Sequence, residues 1–413
     1  MMNQGLRQYL VVTGTYWAFT ITDGALRMLV VLYFYQLGYS ALQIAMLFLL
    51  YEFFGVVTNL VGGWLGARLG LNKTMHLGVL IQSIALLMLA VDSSWLSVPY
   101  VMAAQALSGI AKDLNKMSAK SSIKILMPGE QQHGKLYKWV ALLTGSKNAL
   151  KGAGFFIGAW LLATIGFQSS LITMSGALAV VFIISVLLLR NDLGKTKYKP
   201  RFTEIFSKSH SVNILSAARL FLFGARDVWF VVALPVYFEV ALHWSHTQVG
   251  IFMALWIIGY GFVQGLAPAL TGLNKGKVPD GRSAMAWAVP LSLIPALIAV
   301  SLYTESGYSE IVLVGGLLIF GGLFAINSSI HSFLILAYSK QEGVSLDVGF
   351  YYMANAMGRL IGTVLSGATY QYAGLEACLI VSSLFLALTI AISTGLPGRR
   401  VKKPAHPLEE TQP

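Results

Sequence analysis

The sequence predicts an all-α polytopic membrane protein, with twelve transmembrane helices in two pseudo-repeated six-helix halves. Three observations carry that prediction. Hydrophobic residues fill 56% of the 413 positions and charged residues only 11%, against about a quarter charged in a soluble domain. Mean hydropathy is +0.68. Apolar windows of the length that crosses a bilayer, about 20 residues, recur along the whole chain, and the loops between them alternate in charge.

In order, the twelve windows cover 8–36, 41–66, 74–92, 98–126, 136–164, 168–190, 212–240, 246–271, 283–303, 311–338, 345–371 and 375–396. Loops after the odd-numbered windows, at 37–40, 92–97, 165–167, 241–245, 304–310 and 372–374, hold no lysine or arginine. Loops after the even-numbered windows and both termini hold them: Arg7; Arg68 and Lys73; Lys135; Lys195, Lys197, Lys199, Arg201 and Lys208; Lys275, Lys277 and Arg282; Lys340; Arg399, Arg400, Lys402 and Lys403. By the positive-inside rule both termini are cytoplasmic. The net charge of +12 therefore reflects topology. A nucleic-acid partner is excluded, because many bases sit inside apolar runs or in the short loops joining them. The first window is too long for a cleavable signal peptide and has no clear cleavage site. A single cysteine, Cys378, rules out an intrachain disulfide and a cysteine-based metal cluster, and no cofactor is expected.

The longest hydrophilic interruption follows the sixth window. It divides the chain into an N-terminal half at 1–190, a cytoplasmic linker at 191–211, a C-terminal half at 212–396 and a cytoplasmic tail at 397–413, expected to be disordered after Gly398. The halves match at a nearly constant offset. Asp23 and Tyr33-Phe34 recur 204 residues on as Asp227 and Tyr237-Phe238, and Ser40 and Gln43 recur at 205 as Ser245 and Gln248. Ser121-Ser122-Ile123 recurs at 207 as Ser328-Ser329-Ile330. Gly154 and Gly166 recur at 208 as Gly362 and Gly374, which aligns Lys151 with Arg359. Parallel six-span repeats of this kind resemble the major facilitator superfamily, where substrate binds near the midplane between the halves. That superfamily's loop motif after the second span is partly present as Gly63-Trp64-Leu65-Gly66-Ala67-Arg68-Leu69-Gly70, with Ala67 where an acid is usual. An interdomain charge lock at this loop is therefore not expected.

Eleven ionisable residues fall at membrane depth: Asp23, Arg27, Glu52, Lys112, Asp113, Lys116, Lys147, Lys151, Arg226, Asp227 and Arg359. At about 3 kcal/mol each on insertion scales they would cost about 30 kcal/mol in lipid. A folded protein is stable by only about 5–15 kcal/mol. They must pair or line water. Helical spacing suggests Asp23 with Arg27 and Asp113 with Lys116, but four acids cannot neutralise seven bases, and the surplus points to a cavity that receives an anion. Lys112, Lys116 and Lys120 share one face of span four, and Lys147 and Lys151 one face of span five. Arg219 and Arg226 share a face of span seven, and Tyr352, Asn355 and Arg359 one of span eleven. Lys120, Lys124 and Arg219 are placed nearer the cytoplasmic ends, so the lower lysines of span four read as an approach path that draws an anion inward. Arginine grips an oxyanion with two donors where lysine offers a point charge. Arg27, Arg226 and Arg359 are therefore the expected grips, supplemented by Lys112, Lys116, Lys147 and Lys151. Asp23, Glu52, Asp113 and Asp227 would pair with these bases or couple protons. The small-residue pairs Gly154/Gly158 and Gly358/Gly362 predict close helix packing. His331 is expected to make a satisfied polar contact.

Five long runs carry a further resemblance: TDGALRMLVVLYF from Thr22, EFFGVVTNLVGGWLGARLGLNKTM from Glu52, AAQALSGIAKDLNKMSAKSSIK from Ala103, LYKWVALLTGSKNALKG from Leu136 and SAARLFLFGARDVWFVVALPVYF from Ser216. Over nearly the whole chain the sequence resembles the organoarsenical efflux permeases of bacterial arsenic-resistance operons. The resemblance implies a monomeric inner-membrane exporter of 1-arseno-3-phosphoglycerate, an ester made from arsenate by a partner glyceraldehyde-3-phosphate dehydrogenase. The ester falls apart outside the cell. The residues by themselves reach only an organic polyanion, so an exchanger of another phosphorylated metabolite, such as a sugar phosphate or phosphoglycerate, remains the alternative. The lone Cys378 agrees with a pentavalent arsenic ester, since trivalent arsenic is thiophilic and calls for several thiolates. A receptor or intramembrane enzyme is disfavoured by the lack of a catalytic triad, metal cluster, nucleotide loop or attached sensory domain.

Overall fold

The computed structural model describes residues 4–39, 41–126, 133–189, 193–195, 200–206, 209–304 and 307–398. Thirteen α-helices account for almost all of them: α1 Gln4–Gln36, α2 Ala41–Leu47, α3 Leu49–Leu69, α4 Leu71–Leu89, α5 Val98–Leu126, α6 His133–Ile165, α7 Phe167–Leu188, α8 His210–Phe230, α9 Ala233–Val240, α10 His246–Leu270, α11 Gly281–Tyr303, α12 Ser309–Tyr338 and α13 Val344–Ser393. Among the described residues, ten helices are long and apolar enough to cross a membrane. α5 falls below that hydropathy because it carries Lys112, Asp113, Lys116, Lys120 and Lys124. α13 is two spans joined at Gly374. Twelve crossings result, as the sequence predicts, in a multi-pass membrane protein. Lys197, Lys199, Lys208 and the expected disordered tail from 399 onward lie outside the described residues.

Two spans that the sequence reads as continuous are broken. The second is divided at Phe48 into α2 and α3, and the seventh at Val231–Val232 into α8 and α9. The second break has a local cause: Pro235 lacks the N–H that would bond the Val231 carbonyl, and its ring crowds that carbonyl. The repeat is visible in the backbone. Gly166, between α6 and α7, and Gly374, inside α13, have φ of 78° and 74°. At both places the chain turns from one span into the next through a conformation that only glycine adopts readily. The two small-residue pairs also pack closely in equivalent places, Gly154 and Gly158 against Ile21 and Ala25 of α1, and Gly358 and Gly362 against Leu220 and Gly224 of α8.

The apolar core has three parts, and their placement positions the site. One cluster draws on the first half alone, from Phe19 to Leu178. A second draws on the second half alone, from Leu222 to Leu386. The third joins both halves, with Tyr9, Leu71, Met117, Tyr137 and Leu143 packed among Val212, Ala267, Phe333, Val348 and Tyr351. It lies at the end of the bundle that carries the lysine- and arginine-bearing loops, called here the basic end. The halves are fused at the basic end and separate toward the other.

Backbone contact closes that fused end. α3 meets α13 so tightly at Gly63 that a Cβ there would lie 2.5 Å from the Ser345 carbonyl oxygen and 3.1 Å from Gly349 Cα. α6 meets α10 where a Cβ on Gly145 would lie 2.6 Å from the Gly261 carbonyl oxygen. Ala67, where an acid would have locked the halves, is fully buried in this junction. Glycine-to-backbone packing is thus the closure that the structure displays at the loop. Replacing Gly63 by valine forces overpacking of about 1–3 kcal/mol, which shifts the balance away from closure roughly 5- to 150-fold. A thiol probe applied from the basic end should then reach Thr144→Cys in the cavity wall, where Thr144 is now buried. An unchanged labelling rate would mean that this contact does not hold the end shut. The one native cysteine, Cys378, is buried and gives little background.

Candidate functional site: a cationic central cavity

A cavity of about 330 Å³ lies between the halves above the fused end, a size typical of small-molecule sites. Nine bases and four carboxylates line it, among them every charged residue expected there from the sequence: Asp23, Arg27, Glu52, Lys112, Asp113, Lys116, Lys147, Lys151, Arg226, Asp227 and Arg359. Tyr352 and Asn355 also line it. The wall holds two bases that the sequence reading assigned to the cytoplasmic ends, Lys120 and Arg219. Both are buried, with 5% and 3% of their surface exposed. The expected approach path along span four therefore stops at Lys120, which is part of the cavity. The signal was present in the spacing: Lys120 continues the face of Lys116, and Arg219 shares the face of Arg226.

At its outer part the cavity is crossed by a chain of ion pairs. Arg27 on α1 lies 3.6 Å from Glu52 on α3. The same Glu52 oxygen accepts from Arg359 Nη2 on α13 at 3.3 Å. Arg359 Nε donates to Asp227 Oδ2 on α8 at 3.1 Å, and Asp227 Oδ1 accepts from Arg226 Nε at 2.6 Å. Glu52 and Arg359 thereby tie the first half to the second. Beside this chain, Asp113 pairs with Lys116 at 2.5 Å and with Lys112 at 3.8 Å. The Asp113–Lys116 pair matches its i,i+3 spacing.

The expected pairing of Asp23 with Arg27 does not form. Asp23 instead accepts a hydrogen bond from the Tyr51 hydroxyl at 2.7 Å and faces Lys151 at 3.6 Å. Arg27 turns to Glu52 and to the rings of Phe48 and Tyr51, at 5.0 and 5.5 Å from their centroids. Partners on neighbouring helices thus outcompete the intrahelical one. The Asp23–Lys151 pair between α1 and α6 is the repeat equivalent of Asp227–Arg359 between α8 and α13, and the offsets of 204 and 208 had aligned these residues. His331 also departs from expectation. It is fully buried, and neither ring nitrogen has a hydrogen-bond partner among the described residues.

Deeper in the cavity the partners are neutral. Lys120 donates to the Tyr352 hydroxyl. Arg219 donates from Nε to Asn355 Oδ1 at 2.8 Å and from Nη1 to the Ser328 carbonyl at 3.2 Å, and it caps the Phe223 ring at 3.9 Å. Asn148 and Gln264 join the halves by a 2.8 Å hydrogen bond, and Gln264 donates onward to Tyr260 and Ser328 at 2.9 and 3.1 Å. Exposure falls along the cavity, from 34% for the Arg359 side chain to the nearly closed Lys120 and Arg219. The more exposed groups, Arg27, Glu52 and Arg359, lie on the side of the cavity away from the basic loops.

A charged cavity between two repeated six-helix halves, open at one end and sealed at the other, is the arrangement of an alternating-access carrier. Solved structures share this fold. The human organic anion transporter MFSD10 (TETRAN) superposes with a TM-score of 0.73 at 16% identity, covering 95% of this chain and 100% of that one. A bacterial homologue of the iron transporter ferroportin, in an outward-facing state, gives 0.70 at 17% identity over 95% and 99%. The proton:xylose symporter XylE gives 0.70 at 12% identity over 94% of each chain. No curated protein matches by sequence. A family model described as Major Facilitator Superfamily matches residues 12–330, more than three quarters of the chain. With that match and this architecture, the chain belongs to the major facilitator superfamily and is a membrane transporter.

Proposed function

We propose that this transporter exports 1-arseno-3-phosphoglycerate across the inner membrane of a bacterium and so confers resistance to arsenate. Its partner is a glyceraldehyde-3-phosphate dehydrogenase that makes the ester from arsenate in the cytoplasm. The observation that carries this reading is the charge of the cavity. Nine bases against four carboxylates leave a surplus of five positive charges, drawn from both halves. A surplus of that size in a partly dehydrated space is stable only beside an anion or ample water, and a cargo with an oxyanion at each end supplies the charge. Arg27, Arg226 and Arg359 serve as bidentate grips, while Lys112, Lys116, Lys147 and Lys151 add charge and Tyr352 and Asn355 add neutral donors. Asp23, Glu52, Asp113 and Asp227 hold the bases in place between cargoes. Cys378 is buried in the second half's core, away from the cavity, which suits an arsenic atom recognised as a phosphate analogue.

With the basic end taken as cytoplasmic, the cavity is open outward, the state from which an exported ester leaves. The reading is tested by arsenate accumulation in cells carrying the dehydrogenase with and without the transporter. Accumulation is expected to fall when both are present. Unchanged accumulation would sink the efflux reading, and saturable exchange of phosphoglycerate in vesicles would then identify a phosphorylated-metabolite exchanger.

A further inference from the structure

Building on the reading of a doubly anionic cargo, we propose that the inner end of the cavity is a separate oxyanion subsite, in which Lys120, Lys147 and Arg219 bind one tetrahedral phosphoryl-type group by themselves. The distinction lies in how the cavity's charges are partnered. Every outer base is tied to a carboxylate: Arg27, Arg226 and Arg359 to Glu52 or Asp227, Lys112 and Lys116 to Asp113, and Lys151 to Asp23. An anion entering there must compete with an acid already in place. None of the three inner bases has a carboxylate partner among the described residues. Lys120 and Arg219 are oriented by a hydroxyl, an amide oxygen, a carbonyl and two aromatic faces, all of them neutral. Among the described residues Lys147 makes no hydrogen bond or ion pair, and it lines the same cavity as Lys120 and Arg219.

Removing charges from water costs several kcal/mol per ion unless they are compensated. Lys120 and Arg219 are almost completely removed from it. Three bases without carboxylate partners, supplied by α5, α6 and α8 to one cavity, are therefore compensated when an oxyanion sits among them. The neighbouring groups suit that ligand. Tyr352, Tyr260, Asn148 and Gln264 offer hydroxyl and amide hydrogen-bonding groups, and the cavity's four acids are each paired with an outer base. The two layers also fit a two-headed cargo. Arg219 and Arg226 are seven residues apart on α8, about 10 Å along the axis, so one oxyanion can sit on the inner bases while the other displaces Glu52 from the outer arginines. The inner group requires no displacement and binds first.

Thermal unfolding and ligand titration of the purified full-length transporter test this, with inorganic phosphate as a one-headed probe and 3-phosphoglycerate as a two-headed one, at matched ionic strength. Phosphate is expected to stabilise the wild type. Lys147→Gln should unfold at a higher temperature than wild type without ligand, because a repulsion is relieved, and should bind phosphate about tenfold or more weakly through loss of a charge-assisted contact. Lys147→Arg should retain phosphate binding. Arg359→Gln should bind phosphate as wild type does, but lose the extra affinity for 3-phosphoglycerate. Wild-type phosphate affinity in Lys147→Gln, or equal loss of phosphate in Arg359→Gln, would overturn the subsite. If Lys147→Gln cannot be obtained monodisperse, Lys120→Gln is read by the same phosphate criterion. These readouts do not involve transport. Loss of arsenate resistance with phosphate binding intact would therefore count against the outer grips or the export reading and leave the subsite standing.

Discussion

Replacing Arg359 by glutamine is expected to abolish arsenate resistance while leaving the protein in the membrane at its normal level. Arg359 alone among the cavity bases touches acids of both halves, Glu52 at 3.3 Å and Asp227 at 3.1 Å. Its loss leaves neither acid bare, because Glu52 keeps Arg27 and Asp227 keeps Arg226. The fold is therefore spared. The cargo's outer oxyanion loses a forked donor worth roughly 2 kcal/mol, or about thirtyfold in affinity, and the halves lose the link through which cargo reports its presence to both. Arg359→Lys retains the charge without the fork and should restore resistance only in part. Resistance assays with immunodetection of the membrane fraction check both claims. The same assay applied to Arg27→Gln and Arg226→Gln should also show lost resistance, and full resistance in all three variants would remove the outer arginines from the site.

How much of this site was legible in the sequence depends on what each residue answers to. Span number and sidedness follow from hydropathy and loop charge, which the bilayer imposes window by window. The chain therefore displays them openly, and α5 is recognisable as a span despite its five charges. The surplus of bases was also legible, since counting needs no geometry. Pairing was not. Asp23 and Arg27 have ideal helical spacing, yet Tyr51 and Lys151 on other helices take Asp23, and spacing along one helix carries no information about its neighbours. The internal repeat did carry some. Aligning Asp23 with Asp227 and Lys151 with Arg359 identifies two equivalent interhelical pairs once either is seen. Depth was misjudged for Lys120 and Arg219 because it was counted from the ends of apolar windows. The fused core, with Tyr137, Phe333 and Tyr351 beneath them, extends the protein below the cavity and turns residues near a helix end into a buried floor.

Asp227→Ala is expected to have the opposite signature to Arg359→Gln, with little protein in the membrane at all. Asp227 is completely buried and holds two guanidinium groups, Arg226 through Oδ1 and Arg359 through Oδ2. Truncation leaves Arg226, itself largely buried, with no acid among its described partners. Breaking a buried pair in this way typically costs about 3–5 kcal/mol, a large share of a stability of about 5–15 kcal/mol. The fault lies in the unpaired charge more than in the lost carboxylate. The double variant Arg226→Gln with Asp227→Asn should therefore recover membrane accumulation without recovering resistance. Its counterpart in the other half bounds the effect. Asp23 is held by one lysine at 3.6 Å and by a hydroxyl, and the Lys151 side chain, 19% exposed, can turn toward cavity water when its acid is removed. Asp23→Ala should accordingly accumulate well above Asp227→Ala. Equal losses in the two variants, or no recovery in the double variant, would mean that Asp227 stabilises the fold by something other than neutralising its arginines.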